Sequence, residues 1–371
     1  MSYTRIATHT VIVGVLFFLA LAHPVSAEVS IKELIEEAGL REGAVAFRDV
    51  DGWHPPQKIV VRGTEDFVAA LRAEFPGVQV VRAGATDEIL QQVTDADAIV
   101  GFCDAEAVAA ATQLVWVQVG SAGVERCFEA GAIASGDVLL SNMQKMSSPA
   151  IGEHAIAMML SLTRGLVHHT RVMPDGQWNR AVGDEIGMMS VDGKTVLVVG
   201  LGGIGTAAAK RASTLGMRVL ATRNSSRNGP DFVDYVGLSG ELHELAAQAD
   251  VVINALPLTP ATEGIFDDAF FDAAKPGMFF INVARGRSVV TDDLVAALQD
   301  GRVAGAGLDV TDPEPLPPDH PLWQVPNVVI TPHIAWYGSD GERQRALARE
   351  NIRRFIAGDA LLNVVDPAQR Y

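Results

Sequence analysis

The chain has 371 residues, 48% of them hydrophobic, with 45 acidic against 29 basic side chains and a formal charge of -16. That length supports two ordinary domains, each with its own core, rather than one small one, and the acidic balance repels a phosphate backbone, which argues against nucleic acid as a partner. The two cysteines, Cys103 and Cys127, stand outside any CxxC pair or Cys/His cluster at zinc spacing, so neither a disulfide framework nor a bound metal is expected.

At the start of the chain, Arg5 precedes an apolar run at 11–22, and small residues lead up to Ala27, which together make a secretory-signal pattern. The run is short of the ~20 residues a spanning helix needs. Residues 1–27 are therefore read as a leader directing export to the periplasm or the medium, with no stable membrane span after its removal. A short membrane anchor and a cytoplasmic protein are the alternatives.

Beyond the leader, β-rich runs at 58–62, 78–82, 98–102, 116–119 and 138–140 alternate with helical stretches such as 64–74 and 86–93. An apolar stretch at 149–171 reads as one helix long enough to bridge two domains. Strand-like runs resume at 195–199, 218–222, 251–255, 278–283, 305–310 and 328–330, and 341–356 reads as an amphipathic helix returning to the first domain. Alternating strands and helices imply parallel sheets covered on both faces. The expected fold class is α/β, with two Rossmann-like or flavodoxin-like doubly wound domains and a cleft between them.

The apolar run at 196–199 leads straight into Gly200-Leu201-Gly202-Gly203-Ile204-Gly205, and an Ala-rich helix follows at 206–215. This is a dinucleotide fingerprint in its required strand–turn–helix setting: Gly200 for the tight turn, Gly202 for approach of the backbone to the pyrophosphate, Gly205 for close helix–strand packing, and the helix N-terminus facing the negative charge. Where the second strand ends, an NAD site usually carries an acid for the ribose hydroxyls; this chain has Arg223-Asn224-Ser225-Ser226-Arg227. Arg223 can stack on adenine and pair with a 2′-phosphate, with Arg227 and the serines adding donors, so NADP is favoured and NAD is the alternative.

Three later segments end predicted strands: Asn282-Val283-Ala284-Arg285-Gly286, Leu308-Asp309-Val310-Thr311-Asp312-Pro313-Glu314-Pro315, and Thr331-Pro332-His333-Ile334-Ala335. The carboxyl ends of strands in an open α/β sheet are where ligands sit. Arg285 can fork two donors onto a substrate carboxylate and polarise a carbonyl. His333 can exchange the proton that accompanies a hydride, and Glu314 can hold the imidazole and favour its charged form.

With these segments in view, the chain resembles the D-isomer-specific 2-hydroxyacid dehydrogenase family over nearly everything after the leader. The resemblance implies a catalytic set of Arg285, Glu314 and His333. It also implies a nicotinamide-amide contact at Asp309 and a cofactor-lining backbone at Leu256-Pro257 and Val283-Ala284. The Gly120-Ser121-Ala122-Gly123-Val124 loop is similar to the one whose backbone N–H groups hold the substrate carboxylate, so Ser121, Ala122 and Gly123 join Arg285 and His333 as substrate contacts. Glu125 stands where an Asp is common, Gly203 where Arg is frequent, and Trp336 where many members have Gly. The Glu153-His154 pair also resembles a family pattern.

The implied division is residues 28–142 plus 336–371 for the substrate domain and 143–335 for the cofactor domain, with hinges near Asn142 and Ala335. The implied activity is hydride transfer between NAD(P)H and C2 of a small 2-oxo or D-2-hydroxy acid, of the glyoxylate or hydroxypyruvate kind, in a homodimer. The alternative is a cofactor-sensing or partner-binding protein without turnover; the intact Arg, Glu and His favour the enzyme.

Overall fold

The computed structural model describes residues 30–51, 53–339 and 341–369, so the leader at 1–27 lies outside the described residues. Five short strands, β1 (Lys58–Val61), β2 (Gln79–Arg82), β3 (Ala98–Val100), β4 (Trp116–Gln118) and β5 (Leu139–Ser141), form a parallel sheet in the order β2-β1-β3-β4-β5. Seven more form a second parallel sheet: β6 (Thr195–Val199), β7 (Arg218–Arg223), β8 (Tyr235–Leu238), β9 (Val251–Asn254), β10 (Met278–Asn282), β11 (Val303–Leu308) and β12 (Val328–Ile330). Their order is β12-β11-β10-β9-β6-β7-β8. In both sheets the strand order switches sides once, between β1 and β3 and between β6 and β9, and the crevice at such a switch is where doubly wound folds take ligands.

The strands are runs of Val, Ile, Leu and Phe because both faces are covered: every residue of β9 and β10 is buried. One core cluster pairs Phe266, Phe270, Phe271 and Phe280 on one face of the larger sheet. On the other face the helix Ser148–Thr163 lies against the fingerprint helix Gly203–Thr214, and Gly152 permits the contact, since a Cβ there would come within 2.8 Å of the Ala207 methyl.

The helix Gly341–Ala357 packs on the smaller sheet through Leu347, Ala348, Ile352 and Phe355. A buried polar chain fixes its register. Trp116 Nε1 donates to Ser141 Oγ (2.8 Å), Ser141 Oγ to Gln118 Oε1 (2.8 Å), and Asn351 Nδ2 to that same oxygen (2.7 Å), while Asn351 Oδ1 accepts from the Leu362 backbone (2.8 Å). Buried polar groups are tolerable only when paired in this way.

Three features depart from the sequence reading. The stretch expected as a single helix at 149–171 is two, Ser148–Thr163 and Leu166–Val172, because Gly165 turns the chain with φ 66°, a left-handed conformation open to glycine. The strand β8 was not anticipated. Finally, Cys103 and Cys127 are joined in a disulfide across a sequence separation of 24, so the expectation of no disulfide is corrected: two distant cysteines carry no spacing signature, yet the end of β3 and the turn after residue 124 bring them together. Closing a loop of that length restricts the unfolded chain by about 3 kcal/mol. A Cys103→Ala/Cys127→Ala variant is expected to lose roughly that much stability, read from the shift in a guanidinium denaturation midpoint; an unmoved midpoint would show the bridge to be energetically idle.

Among the described residues no helix is long and apolar enough to cross a membrane, and no group of three or more His, Cys, Asp or Glu could hold a metal ion.

Candidate active site

The fingerprint turn sits at the carboxyl end of β6. Gly200 has φ 96°, and a Cβ there would approach the Ala255 carbonyl to 2.9 Å and Leu256 Cδ2 to 3.1 Å, so the turn lies directly against the segment leaving β9. A Cβ on Gly205 would overlap the Gly200 carbonyl oxygen, whereas one on Gly202 would meet nothing within 4 Å. The chain thus leaves an open cradle at Gly202, in front of the first turn of Gly203–Thr214, whose N–H groups and dipole suit a pyrophosphate. Leu256-Pro257 leaves β9 and Val283-Ala284 leaves β10 at the same edge. A buried network holds both exits: Asn254 Nδ2 donates to Asn282 Oδ1 (3.0 Å) and Ser288 Oγ (2.7 Å), and the N–H groups of Leu256 and Ala284 donate to Asn254 and Asn282 (3.1 Å each). These residues fit a dinucleotide, which would bring a nicotinamide for hydride chemistry.

Among the described residues, β7 ends on Arg223 and the next acid along the chain is Asp231. Arg223 Nη1 donates to the Asn228 carbonyl at 2.8 Å. Arg227, expected to add donors for a phosphate, is already engaged: it bonds Tyr235 Oη at 2.7 Å and both carboxylate oxygens of Glu241. Hydrogen bonds from Arg227, the Tyr235 hydroxyl and the Leu238 backbone hold the Glu241 carboxyl down at about 2, so this acid stays ionised and keeps Arg227 occupied.

Strands β10, β11 and β12 end level, with Asn282 beside Leu308 and Leu308 beside Ile330. Arg285 and His333 each follow their strand by three residues, so both emerge at one edge. The His333 ring donates from Nδ1 to Glu314 Oε1 at 2.7 Å, and both side chains remain part-exposed. With Nδ1 turned to the acid, Nε2 is the nitrogen left to face a ligand.

His333 has φ 55°, an uncommon conformation for a residue with a side chain. Asp309, at the end of β11, is what holds it there. The Asp309 carbonyl accepts the His333 N–H at 2.8 Å, and its carboxylate accepts Thr331 Oγ1 (2.6 Å) and the N–H groups of Ile334 (2.9 Å) and Ala335 (3.0 Å). His154 Nε2 meets Thr331 Oγ1 at 3.0 Å from the bridging helix, and Glu153 bonds Arg211. Asp309 is only 2% exposed, and its carboxylate sets the histidine loop. Trp336 caps the same loop, its Nε1 donating to the His333 carbonyl at 3.1 Å, with its ring half-exposed beside the exposed Tyr337.

Arg285 reaches across the cleft to the other sheet. Its guanidinium lies over Gly123, where any Cβ would collide with it, and its Nε donates to Glu125 Oε1 at 2.8 Å. The loop beneath is pinned by Ser121 Oγ to the Gly123 carbonyl (2.7 Å), Asn142 Nδ2 to the Ala122 carbonyl (2.9 Å) and Met143 N–H to the Ser121 carbonyl (2.9 Å). Among the described residues the N–H groups of Ser121, Ala122 and Gly123 meet no acceptor. An anion seated on them would have the Arg285 fork at its side. Glu125 was noted in the sequence only as a substitution; its pairing with a residue 160 positions away has no local signature.

Comparison with known proteins places the chain among relatives of one family. Residues 156–335 match the family model described as D-isomer specific 2-hydroxyacid dehydrogenase, NAD binding domain. A hydroxypyruvate reductase of Blautia hydrogenotrophica is 35% identical over 231 residues, 61% of this chain and 71% of the relative. A glyoxylate reductase of Thermofilum pendens is 32% identical over 291 residues, 75% of this chain and 84% of the relative. Among solved structures, an NADPH-dependent glyoxylate/hydroxypyruvate reductase from Sinorhizobium meliloti, in complex with NADP and sulfate, superposes with a TM-score of 0.73 at 27% identity, covering 85% of this chain and 100% of that one.

Proposed function

Because this chain belongs to the D-isomer specific 2-hydroxyacid dehydrogenase family, and is thus an NAD(P)-dependent oxidoreductase acting on 2-oxo and 2-hydroxy acids, we propose that it reduces a small 2-oxo monocarboxylic acid of the glyoxylate or hydroxypyruvate type, with NADPH preferred over NADH. The observation that carries this reading is the Arg285 guanidinium lying over the 121–123 loop, whose N–H groups lack acceptors among the described residues, at the strand edge that also bears the His333–Glu314 pair.

The substrate carboxylate is received by the 121–123 N–H groups and by one side of the Arg285 fork, which fixes C2 and its carbonyl. The dihydronicotinamide of a dinucleotide held at the 200–205 turn would supply the hydride. As charge develops on the carbonyl oxygen, Arg285 stabilises it and His333 Nε2 delivers the proton, while Glu314 orients the ring and balances its charge. The absence of an acid at the end of β7, with Arg223 in its place, supports NADPH. The names of the relatives support the substrate class. The experiment is parallel oxidation of NADPH and NADH, followed by the absorbance of the reduced nicotinamide, against glyoxylate, hydroxypyruvate and pyruvate. Turnover fastest with NADPH on the first two is expected; a preference for NADH would sink the cofactor reading.

Glu125 bears on substrate choice. Its carboxylate lies beside the carboxylate-binding loop and competes for Arg285, so a second negative charge on the substrate is disfavoured there. Glu125→Gln is expected to lower KM for a dicarboxylic 2-oxo acid such as oxaloacetate by about tenfold relative to pyruvate, corresponding to about 1.4 kcal/mol. An unchanged KM ratio would remove Glu125 from this role.

The leader pattern and the Cys103–Cys127 disulfide support export to an oxidising compartment. Recovery of an uncleaved, reduced chain from the cytosol would overturn that. The exposed Leu166, Met173 and the 92% exposed Trp178, on the arm after the bridging helix, support a dimer made through that arm. Sedimentation of Trp178→Glu as a monomer is the expected result.

A further inference from the structure

The segment that crosses from β5 to the bridging helix passes over the start of the fingerprint helix, and it carries a lysine there. Lys145 adopts φ 73° and is half-buried between Met143 and Met146, both buried. A Cβ placed on Gly203 would come within 2.9 Å of Lys145 Cγ, 3.3 Å of Lys145 Cα and 2.5 Å of Ser148 Oγ. The lysine therefore occupies the volume in front of the first helical turn into which a side chain at 203 would extend. Glycine at this fingerprint position is what makes room for it.

The charges around Lys145 are of one sign. Its ammonium donates to the Gly39 carbonyl, at the end of the helix Ile31–Ala38, and among the described residues no carboxylate forms an ion pair with it. Burial, together with the Arg41 and Arg223 guanidinium groups, holds this ammonium below the ordinary lysine range. The Arg41 guanidinium of the first domain and the Arg223 guanidinium at the end of β7 are thus near enough to Lys145 to repel its ammonium. A partly desolvated cation with like-charged neighbours and a single neutral acceptor gains most from an anion, and the adjoining helix N-terminus is an anion site in its own right.

We propose that Lys145 is a cofactor-phosphate ligand, its ammonium binding a phosphate of the dinucleotide at the mouth of Gly203–Thr214 and supplying from the interdomain crossing the cation that position 203 does not provide. The proposal rests on the dinucleotide reading of the fingerprint and adds a residue outside it. Since Lys145 hangs on the crossing and bonds Gly39 of the first domain, cofactor binding engages both domains before substrate arrives.

The test is the dissociation constant of NADPH and of NADH, measured by titration calorimetry on wild type, Lys145→Met and the double variant Lys145→Ala/Gly203→Arg, with thermal unfolding to verify the fold of each. Lys145→Met should weaken binding by about tenfold or more, the loss of one charge-assisted contact, and should flatten the salt dependence of binding. Loss for both cofactors identifies the pyrophosphate as the partner, and loss for NADPH alone identifies the 2′-phosphate. The double variant, in which an arginine can enter the emptied volume, should recover most of the affinity. Should Lys145→Met alter the fold, the double variant carries the test on its own, and failure to bind in a folded double variant counts against the proposal. Unchanged constants in folded Lys145→Met overturn it while leaving the dinucleotide site intact; absence of binding by wild type overturns both.

Discussion

His333→Ala is expected to reduce turnover of the 2-oxo acid by 10²- to 10⁴-fold, about the contribution of a positioned general acid, with little change in the dissociation constant for NADPH. The two parts of this outcome have separate structural causes. The His333 ring reaches outward from its loop to Glu314, at 2.7 Å, so truncation removes a proton donor and leaves Glu314 exposed to water rather than buried without a partner. The loop is held by its own N–H groups donating to the Asp309 carboxylate and carbonyl, and alanine at 333 retains all of them. Single-turnover rates and cofactor titration, run side by side, separate chemistry from binding. A variant that keeps more than a tenth of the wild-type turnover would transfer the proton to another donor, and the mechanism given above would have to be withdrawn.

The second large effect is expected at Arg285. Arg285→Ala should lower kcat/KM by about 10²- to 10³-fold, comparable to the removal of one donor to a developing oxyanion, and should raise KM as well, because the same guanidinium receives the substrate carboxylate. Loss of the arginine also leaves Glu125 beside an anion-binding loop with no cation to balance it, adding repulsion to the loss of attraction. Arg285→Lys should recover only part of the rate, since an ammonium cannot fork across two acceptors. Arg285→Ala/Glu125→Gln should therefore bind substrate better than Arg285→Ala alone. A double variant no better than the single one would mean that Glu125 is screened from the substrate by solvent.

Much of this architecture was legible because strands buried on both faces must be apolar throughout. The runs at 195–199 and 328–330 match β6 and β12 to the residue. The strand β8 escaped because its four residues, Tyr235–Leu238, include a glycine and lie at the sheet edge, where half the positions are exposed and the apolar signal fades. The helix break at Gly165 depends on a left-handed backbone angle, and a lone glycine in an apolar stretch does not announce one. In the site, Arg285, Glu314 and His333 could be singled out because each follows a strand end. The device that sets His333 could not: Asp309 acts through N–H groups 25 and 26 positions away, and backbone donors have no residue identity to read. Glu125, Lys145 and the disulfide were hidden for a related reason. Each acts on a partner that tertiary structure alone supplies.

The Asp309 clasp has a consequence for how such an enzyme changes over time. The histidine loop is fastened to β11, and the Asn254–Asn282–Ser288 network fastens the exit of β10 to β9, so the proton donor and the backbone that carries Arg285 are mounted on a single sheet, while the guanidinium alone spans to Glu125. The loop at 121–123 and Glu125 belong to the other sheet, with their own fastenings to Asn142 and Met143. Chemistry and substrate choice are therefore separable parts of the molecule. Exchanging the small loop can redirect the enzyme to a different acid without re-machining the parts that carry out the reduction.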